Sequence, residues 1–204
     1  MALRSSETWR WTIDRLPGLF WLLVLGAAAA AFARPAEVSV IAVPQDAGVQ
    51  VTARALVRAP TELIWQTLTD YDHLPEFVPG MVSSHVVSHQ GSQLIIEQKG
   101  GARVWFFSYP IRVTVATTEH PYEEIDVRLL QGNLRRLEGS YRIEPQPDGT
   151  TEVSWSGMIE PDSPLPAFIR NAMLRRSIAE QFTSMVREIE RRGDRWSARS
   201  ALPH

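Results

Sequence analysis

With 204 residues, 44% hydrophobic and 22% charged, the chain has the composition of a globular protein large enough for one full core. Its net charge of −2, from 21 basic and 23 acidic residues, supplies no clustered positive surface for nucleic acid. It has no cysteine, so no disulfide framework supports the fold.

The first segment reads as a leader. Arg4, Arg10 and Arg15 precede an apolar run over residues 16–31, and Ala31-Phe32-Ala33 is a small-x-small cleavage site. The run falls short of the ~18 residues expected of a spanning helix. A signal peptide over 1–33, cleaved after Ala33, is the expectation, and an uncleaved N-terminal anchor is the alternative. Either way the basic flank predicts a body outside the cytoplasm, periplasmic or secreted.

Residues 34–47 are weakly patterned and read as a linker or a leading strand. Period-two alternation over 49–55 predicts a strand ending near Val57. Pro60 then suits a first helical turn, with Leu63, Ile64, Trp65 and Leu68 as the apolar face. Asp70 is expected to end that helix and hydrogen-bond the following loop backbone. Pro75, Pro79 and Gly80 forbid a long element and predict a short helical turn and a rigid loop, with Pro75, Phe77 and Pro79 shaping a lid over one tunnel mouth.

Strands follow over 81–89, 93–99, 103–118, 123–131, 135–144 and 151–159, with Gly100-Gly101 and Asp148-Gly149 among the turns. Tyr109-Pro110 predicts a bend in the long strand. Residues 164–192 then carry apolar side chains at spacings of three and four, from Leu165 and Phe168 to Val186 and Ile189. They predict one helix of roughly 40 Å. Asp162 or Ser163 is its N-cap, Pro164 lies in its first turn and Gly193 is its stop signal. Residues 193–204 read as a flexible tail. The sum is one α+β domain over 48–192: seven antiparallel strands, each with one apolar face, and one long helix too narrow to fill their concave side. A cavity between helix and sheet is expected.

Two stretches carry a family likeness. Pro60-Thr61-Glu62-Leu63-Ile64-Trp65, followed by Thr69-Asp70-Tyr71-Asp72-His73-Leu74-Pro75-Glu76-Phe77-Val78-Pro79, resembles the opening of the START-like (SRPBCC) superfamily. The branch it is most similar to is that of polyketide cyclases/dehydrases and coenzyme Q-binding proteins. Gly139-Ser140-Tyr141, Gly149-Thr150 and Leu165-Pro166 stand where that family has its Gly-x-aromatic strand, its Gly-Thr turn and its Leu-Pro helix start. The resemblance spans about 49–192. It implies a helix-grip fold, a curved seven-stranded antiparallel sheet around the long C-terminal helix, with a tunnel for an apolar ligand. It does not imply one activity, since members bind lipids, quinones or polyketides and some are enzymes. A leader departs from the mitochondrial quinone-binding members.

Candidate ligand-binding residues come from the aromatic pattern. Trp105, Phe107 and Tyr109 alternate on one strand, Tyr141 and Trp155 lie on its neighbours, and Phe168 and Phe182 lie on the helix. They serve as core, as tunnel lining, or as both. Arg175 is predicted in the middle of the apolar stripe, between Ala172 and Ala179. It either reaches a polar ligand group or an acidic strand residue, or snorkels to the rim.

Metal and nucleophile chemistry find no support. On one strand His85 and His89 lie about 13 Å apart at ~3.3 Å per residue, beyond a shared ion at ~2 Å ligand distances. No Gly-x-Ser-x-Gly or Gly-x-Gly-x-x-Gly motif is present. No metal or cofactor is expected. The leading function is an exported binder or carrier of a hydrophobic small molecule or lipid, with no nucleic acid and with transient membrane contact. The alternatives are a cyclase or dehydratase, which needs Tyr109, His85 or Arg175 aimed inward, and a protein-interaction module.

Overall fold

The structure, a computed structural model, describes residues 36–45, 48–104, 107–163 and 165–200, without the side chains of 103, 104, 107, 199 and 200. The predicted leader lies outside the described residues. Alternating segments become strands in chain order: β1 (Val38–Pro44) and β2 (Val49–Val57), then β3 (Met81–Gln90), β4 (Gln93–Val104), β5 (Phe107–His120), β6 (Glu124–Gly132), β7 (Leu134–Pro145) and β8 (Thr151–Pro161). Helix α1 (Thr61–Leu68), a 3-10 turn (Tyr71–His73) and α2 (Leu74–Phe77) separate β2 from β3, and α3 (Ala167–Ser200) closes the chain.

The strands form one antiparallel sheet in the order β1-β2-β8-β7-β6-β5-β4-β3. Helix α3 touches β1 and β2 near one edge and β4 near the other, so the sheet curves around it. Strict alternation drives this. In β2, Val49, Val51, Ala53, Ala55 and Val57 are all buried, and in β8 so are Val153, Trp155 and Ile159. Burying both rows against Phe182, Met185, Val186 and Ile189 of α3 makes the main core.

Four expectations need correction. The sheet has eight strands among the described residues, not seven, because residues 34–47 contain β1, which pairs with β2 from Val38↔Ala55 to Pro44↔Val49. Gly100-Gly101 is no turn. Strand β4 runs through it to Val104, and the backbone of Gly80 presses on it: a Cβ on Gly100 would lie 2.5 Å from the Gly80 carbonyl oxygen. The glycines admit a neighbouring chain, and Gly101 N–H donates to that same oxygen at 2.8 Å. Helix α3 begins at Ala167, not Pro164, which is outside the described residues. It also runs past Gly193 to Ser200, so 193–200 is helix and not a loose tail. Gly193 is buried, and a Cβ there would meet Ala59, Arg58 and Leu63 in ordinary contact at 3.7–3.8 Å, so the residue neither stops the helix nor strains it.

A second close approach shapes the sheet's centre. Gly139 of β7 pairs with Gly157 of β8. A Cβ on Gly139 would lie 2.5 Å from the Ser156 carbonyl oxygen and 2.7 Å from the Gly157 Cα. Both are backbone atoms and cannot rotate aside. Gly139→Ala is expected to destabilise by about 1–3 kcal/mol through overpacking, measured as a lower urea midpoint. An unchanged midpoint would show that β7 and β8 can separate freely.

Candidate functional site

The hollow between α3 and the sheet, open to solvent on part of its boundary, measures about 200 Å³. Its sheet wall is built from inward positions at period two: Ile96 and Gln98 of β4, Val115 and Thr117 of β5, Ile125 and Val127 of β6, Leu137 and Tyr141 of β7, Trp155 and Ile159 of β8. Ile178, Gln181, Phe182 and Met185 form the helix wall. Leu68, Tyr71, Leu74, Val78 and Met81 close one end. No Asp, Glu, Lys, Arg or His is among these residues.

Its polar groups are few. The Tyr71 hydroxyl donates to Glu119 Oε1 at 2.9 Å. Burial first, then the Glu119 charge and hydrogen bond, push that phenol well above its ordinary 10.0. Gln98 Nε2 reaches Ser84 Oγ at 3.4 Å and Gln181 Nε2 reaches Ser177 Oγ at 3.3 Å. Tyr141 stacks obliquely on Trp155, centroids 6.3 Å apart at 54°. Burial pushes its phenol up to about 12.

The closing segment is strapped on three sides. Asp72 Oδ1 accepts the Val86 N–H of β3 at 3.1 Å, and Tyr71 holds β5 through Glu119. On the helix side, Ser184 Oγ donates to the Phe77 carbonyl at 2.5 Å, and the Arg192 guanidinium lies 5.3 Å from the Phe77 ring centroid. The segment packs at one end of the hollow through Leu74 and Val78, while the expected lid residues Pro75, Phe77 and Pro79 are not among those lining it, and Asp70 does not bond its loop backbone as expected. Its carboxylate takes His73 Nδ1 at 2.6 Å and Arg192 Nη2 at 2.9 Å. Arg192 also donates to the buried Glu188 at 2.7 Å.

This clamp titrates. Partial burial pushes the Asp70 carboxyl up, but the bonds and charges of His73 and Arg192 outweigh it and hold the group below 3.8. The Asp70 bond and charge raise His73 above 6.5. A lowered carboxyl stabilises the fold above its unfolded value, and that is lost as pH falls through its folded value. A raised imidazole stabilises below 6.5, and that is lost as pH rises through its folded value. The clamp is therefore strongest between about pH 4 and 6.5. The difference in thermal midpoint between wild type and Asp70→Asn should peak there and shrink on both sides. A difference constant with pH would rule the clamp out.

Of the expected ligand residues, the structure brings Tyr141, Trp155 and Phe182 together in the cavity wall. Trp105 lies outside the described residues, as does the Phe107 side chain, although Phe107 begins β5. Tyr109 packs against the main core and against Ala102, Ile169 and Met173, is not among the residues lining the hollow, and its hydroxyl donates to the carbonyls of Asn133 at 2.5 Å and Asp162 at 3.0 Å. Phe168 is 69% exposed.

Arg175 is exposed, not mid-stripe. At ~100° per residue the buried face of α3 drifts. Met173 and Leu174 mark it early, while Phe182, Val186 and Ile189 mark a side roughly a third of a turn further round. Arg175 aligns with the later side but stands on the earlier turn, where that direction is solvent. None of Tyr109, His85 and Arg175 faces the cavity. Among the described residues no group of three or more His, Cys, Asp or Glu could hold a metal ion.

Sequence reasoning missed Tyr71, Gln98, Thr117 and Gln181. Two had a signal. Gln98 follows Leu94 and Ile96, and Thr117 follows Val113 and Val115, as the polar member of an inward-facing row. A larger trough of about 1,090 Å³ lies on the other face of the sheet. It is lined by outward side chains such as Arg54, Arg142, Glu138, Glu152 and Ser154, a mixed polar face suited to water.

Comparison with known proteins bears on the fold. A family model described as polyketide cyclase / dehydrase and lipid transport matches residues 57–186. The Zhui aromatase/cyclase of Streptomyces sp. R1128 superposes with a TM-score of 0.62 at 13% identity, over 76% of this chain and 98% of that one. A Thermus thermophilus protein gives 0.60 at 18% identity, over 72% and 99%. A STAR-related lipid transfer protein of Xanthomonas axonopodis gives 0.58 at 13% identity, over 77% and 94%. No curated protein matches the chain by sequence.

Proposed function

The chain belongs to the polyketide cyclase/dehydrase and lipid-transport family, and from that premise we propose that it binds or carries an apolar small molecule between α3 and the sheet. The mostly apolar hollow of about 200 Å³ carries this reading. An apolar protein cavity of about 150 Å³ suffices to hold benzene, so a ligand fits without rearrangement. Affinity comes from apolar burial, at roughly 25 cal/mol per Å² before ordering costs. The superposed aromatase/cyclase and STAR-related lipid transfer protein support the same use of the fold. Polyketide-like, quinone and lipid ligands are the candidate classes. Binding is favoured over cyclase chemistry because, among the described residues, the cavity wall holds no Asp, Glu, Lys, Arg or His to serve as acid or base.

The leader completes the proposal: export, cleavage after Ala33, and transient membrane contact when the ligand is loaded or released. Native mass spectrometry of the full-length gene product, gently isolated from its producing cell, tests both parts. The expected result is a mature chain beginning at Arg34, carrying a small molecule released by organic solvent. Protein that stays ligand-free, even after exposure to the cell's own lipid extract, would overturn the binding role.

A further inference from the structure

Resting on the cavity reading above, we infer that the ligand is compact and electrically neutral, and that it presents one hydrogen-bond-accepting oxygen to the Tyr141 hydroxyl. Three observations converge on this. The first is size. About 200 Å³ is little more than the ~150 Å³ that holds benzene, and below the ~300–1,000 Å³ usual for larger ligands. One ring with a short substituent fills it, whereas a fused polycycle or a two-chain lipid does not.

The second is charge. Among the described residues the wall contains no Asp, Glu, Lys, Arg or His, and the nearby Glu119 carboxylate already accepts the Tyr71 hydroxyl. A carboxylate or ammonium ligand would enter unpaired, at a cost that no wall group offsets. The third is the disposition of donors. The Tyr71 O–H is committed to Glu119, Gln98 and Gln181 each turn one of their two N–H groups to a serine, and Thr117 adds a second, fully buried wall hydroxyl on β5. Tyr141 lines the hollow half-buried, and among the described residues no hydrogen bond holds its hydroxyl. A half-buried phenol that no protein group engages is free to give its O–H to an acceptor oxygen on the ligand. Ketones, esters and aryl ethers qualify, while fatty acids and phospholipid headgroups do not.

Three compounds of matched shape test this: benzylacetone, hydrocinnamate, which replaces its methyl ketone by a carboxylate, and butylbenzene, which lacks the oxygen. Calorimetry at neutral pH reads their affinities for wild type and for Tyr141→Phe, a variant that keeps the ring stacked on Trp155. Wild type should bind benzylacetone at least about a hundredfold more tightly than hydrocinnamate. Tyr141→Phe should weaken benzylacetone about tenfold and leave butylbenzene unchanged. Equal losses for benzylacetone and butylbenzene, or hydrocinnamate binding as well as the ketone, would overturn the inference and leave the cavity reading standing. Failure of all three to bind wild type would overturn both. The comparison of ketone with carboxylate needs no variant, so a misfolded Tyr141→Phe would not remove the test.

Discussion

Trp155→Ala is expected to lower the stability of the fold by about 3–5 kcal/mol, the cost of a large aromatic removed from a core that cannot close. Trp155 stands at the middle of β8, 8% exposed. On one side its ring meets Tyr141 at 6.3 Å. On the other it lies over Gly157, where a Cβ would come within 2.8 Å of its Cζ2. Glycine has no side chain to move into the vacated space, and the backbones of β7 and β8 already touch at Gly139. The lost indole volume therefore joins the existing cavity rather than collapsing. Urea unfolding should show a lower midpoint with an unchanged slope, and Trp155→Phe should fall in between. Butylbenzene should restore part of the loss in the alanine variant, since a ligand bound only by the native state stabilises it. A loss under about 1 kcal/mol would mean the site relaxes, against the backbone contact seen at Gly157.

The strands were legible because their periodicity is local. Val49, Val51, Ala53 and Ala55 alternate in sequence and are buried in the structure. The errors arose where one residue type serves two purposes. Gly100, Gly101 and Gly193 read as turn and stop signals. The structure uses Gly100 for close passage of β4 past Gly80, and it places Gly193 inside α3, where a Cβ would make ordinary contacts. Only the tertiary partner distinguishes these uses. Arg175 failed for a related reason. A helical wheel assumes a straight partner, but α3 lies in a curved sheet and its buried face rotates along its length. Asp70 was read through its neighbours in sequence, while its strongest partner, Arg192, is distant in the chain.

The candidate site was legible in part for the same physical reasons. Tyr141, Trp155 and Phe182 line the cavity because an aromatic on an inward position of a one-faced strand or helix has nowhere else to go. Gln98 and Thr117 broke the inward pattern by one residue each, a weaker signal than a misplaced arginine. Their rows nonetheless run straight, so strand parity places them where helical phase misplaced Arg175. For a helix-grip domain, polar exceptions on strands locate the cavity better than exceptions on the long helix.

Val115→Trp should abolish ligand binding while leaving the protein folded. Val115 is 2% exposed, on β5 between Ile96 of β4 and Leu129 of β6, and its side chain faces the cavity. A strand side chain in the middle of a sheet cannot swing to solvent without flipping its register, so an indole there must enter the hollow. In a filled core such an insertion costs about 1–3 kcal/mol through overpacking. Here about 200 Å³ is open, and the new ring takes the place of the ligand's. The thermal midpoint should shift by only a few degrees, at about 2–4 °C per kcal/mol for a domain of this size. Benzylacetone affinity should fall at least about a hundredfold, since the space that buries its ring is gone. A variant that unfolds would show that the hollow is smaller than it measures. A variant that stays folded and still binds benzylacetone would move the site elsewhere, and the polar trough on the outer face of the sheet would be the place to look. That trough offers a neutral apolar ring no apolar enclosure, which is why loss of binding is the expected result.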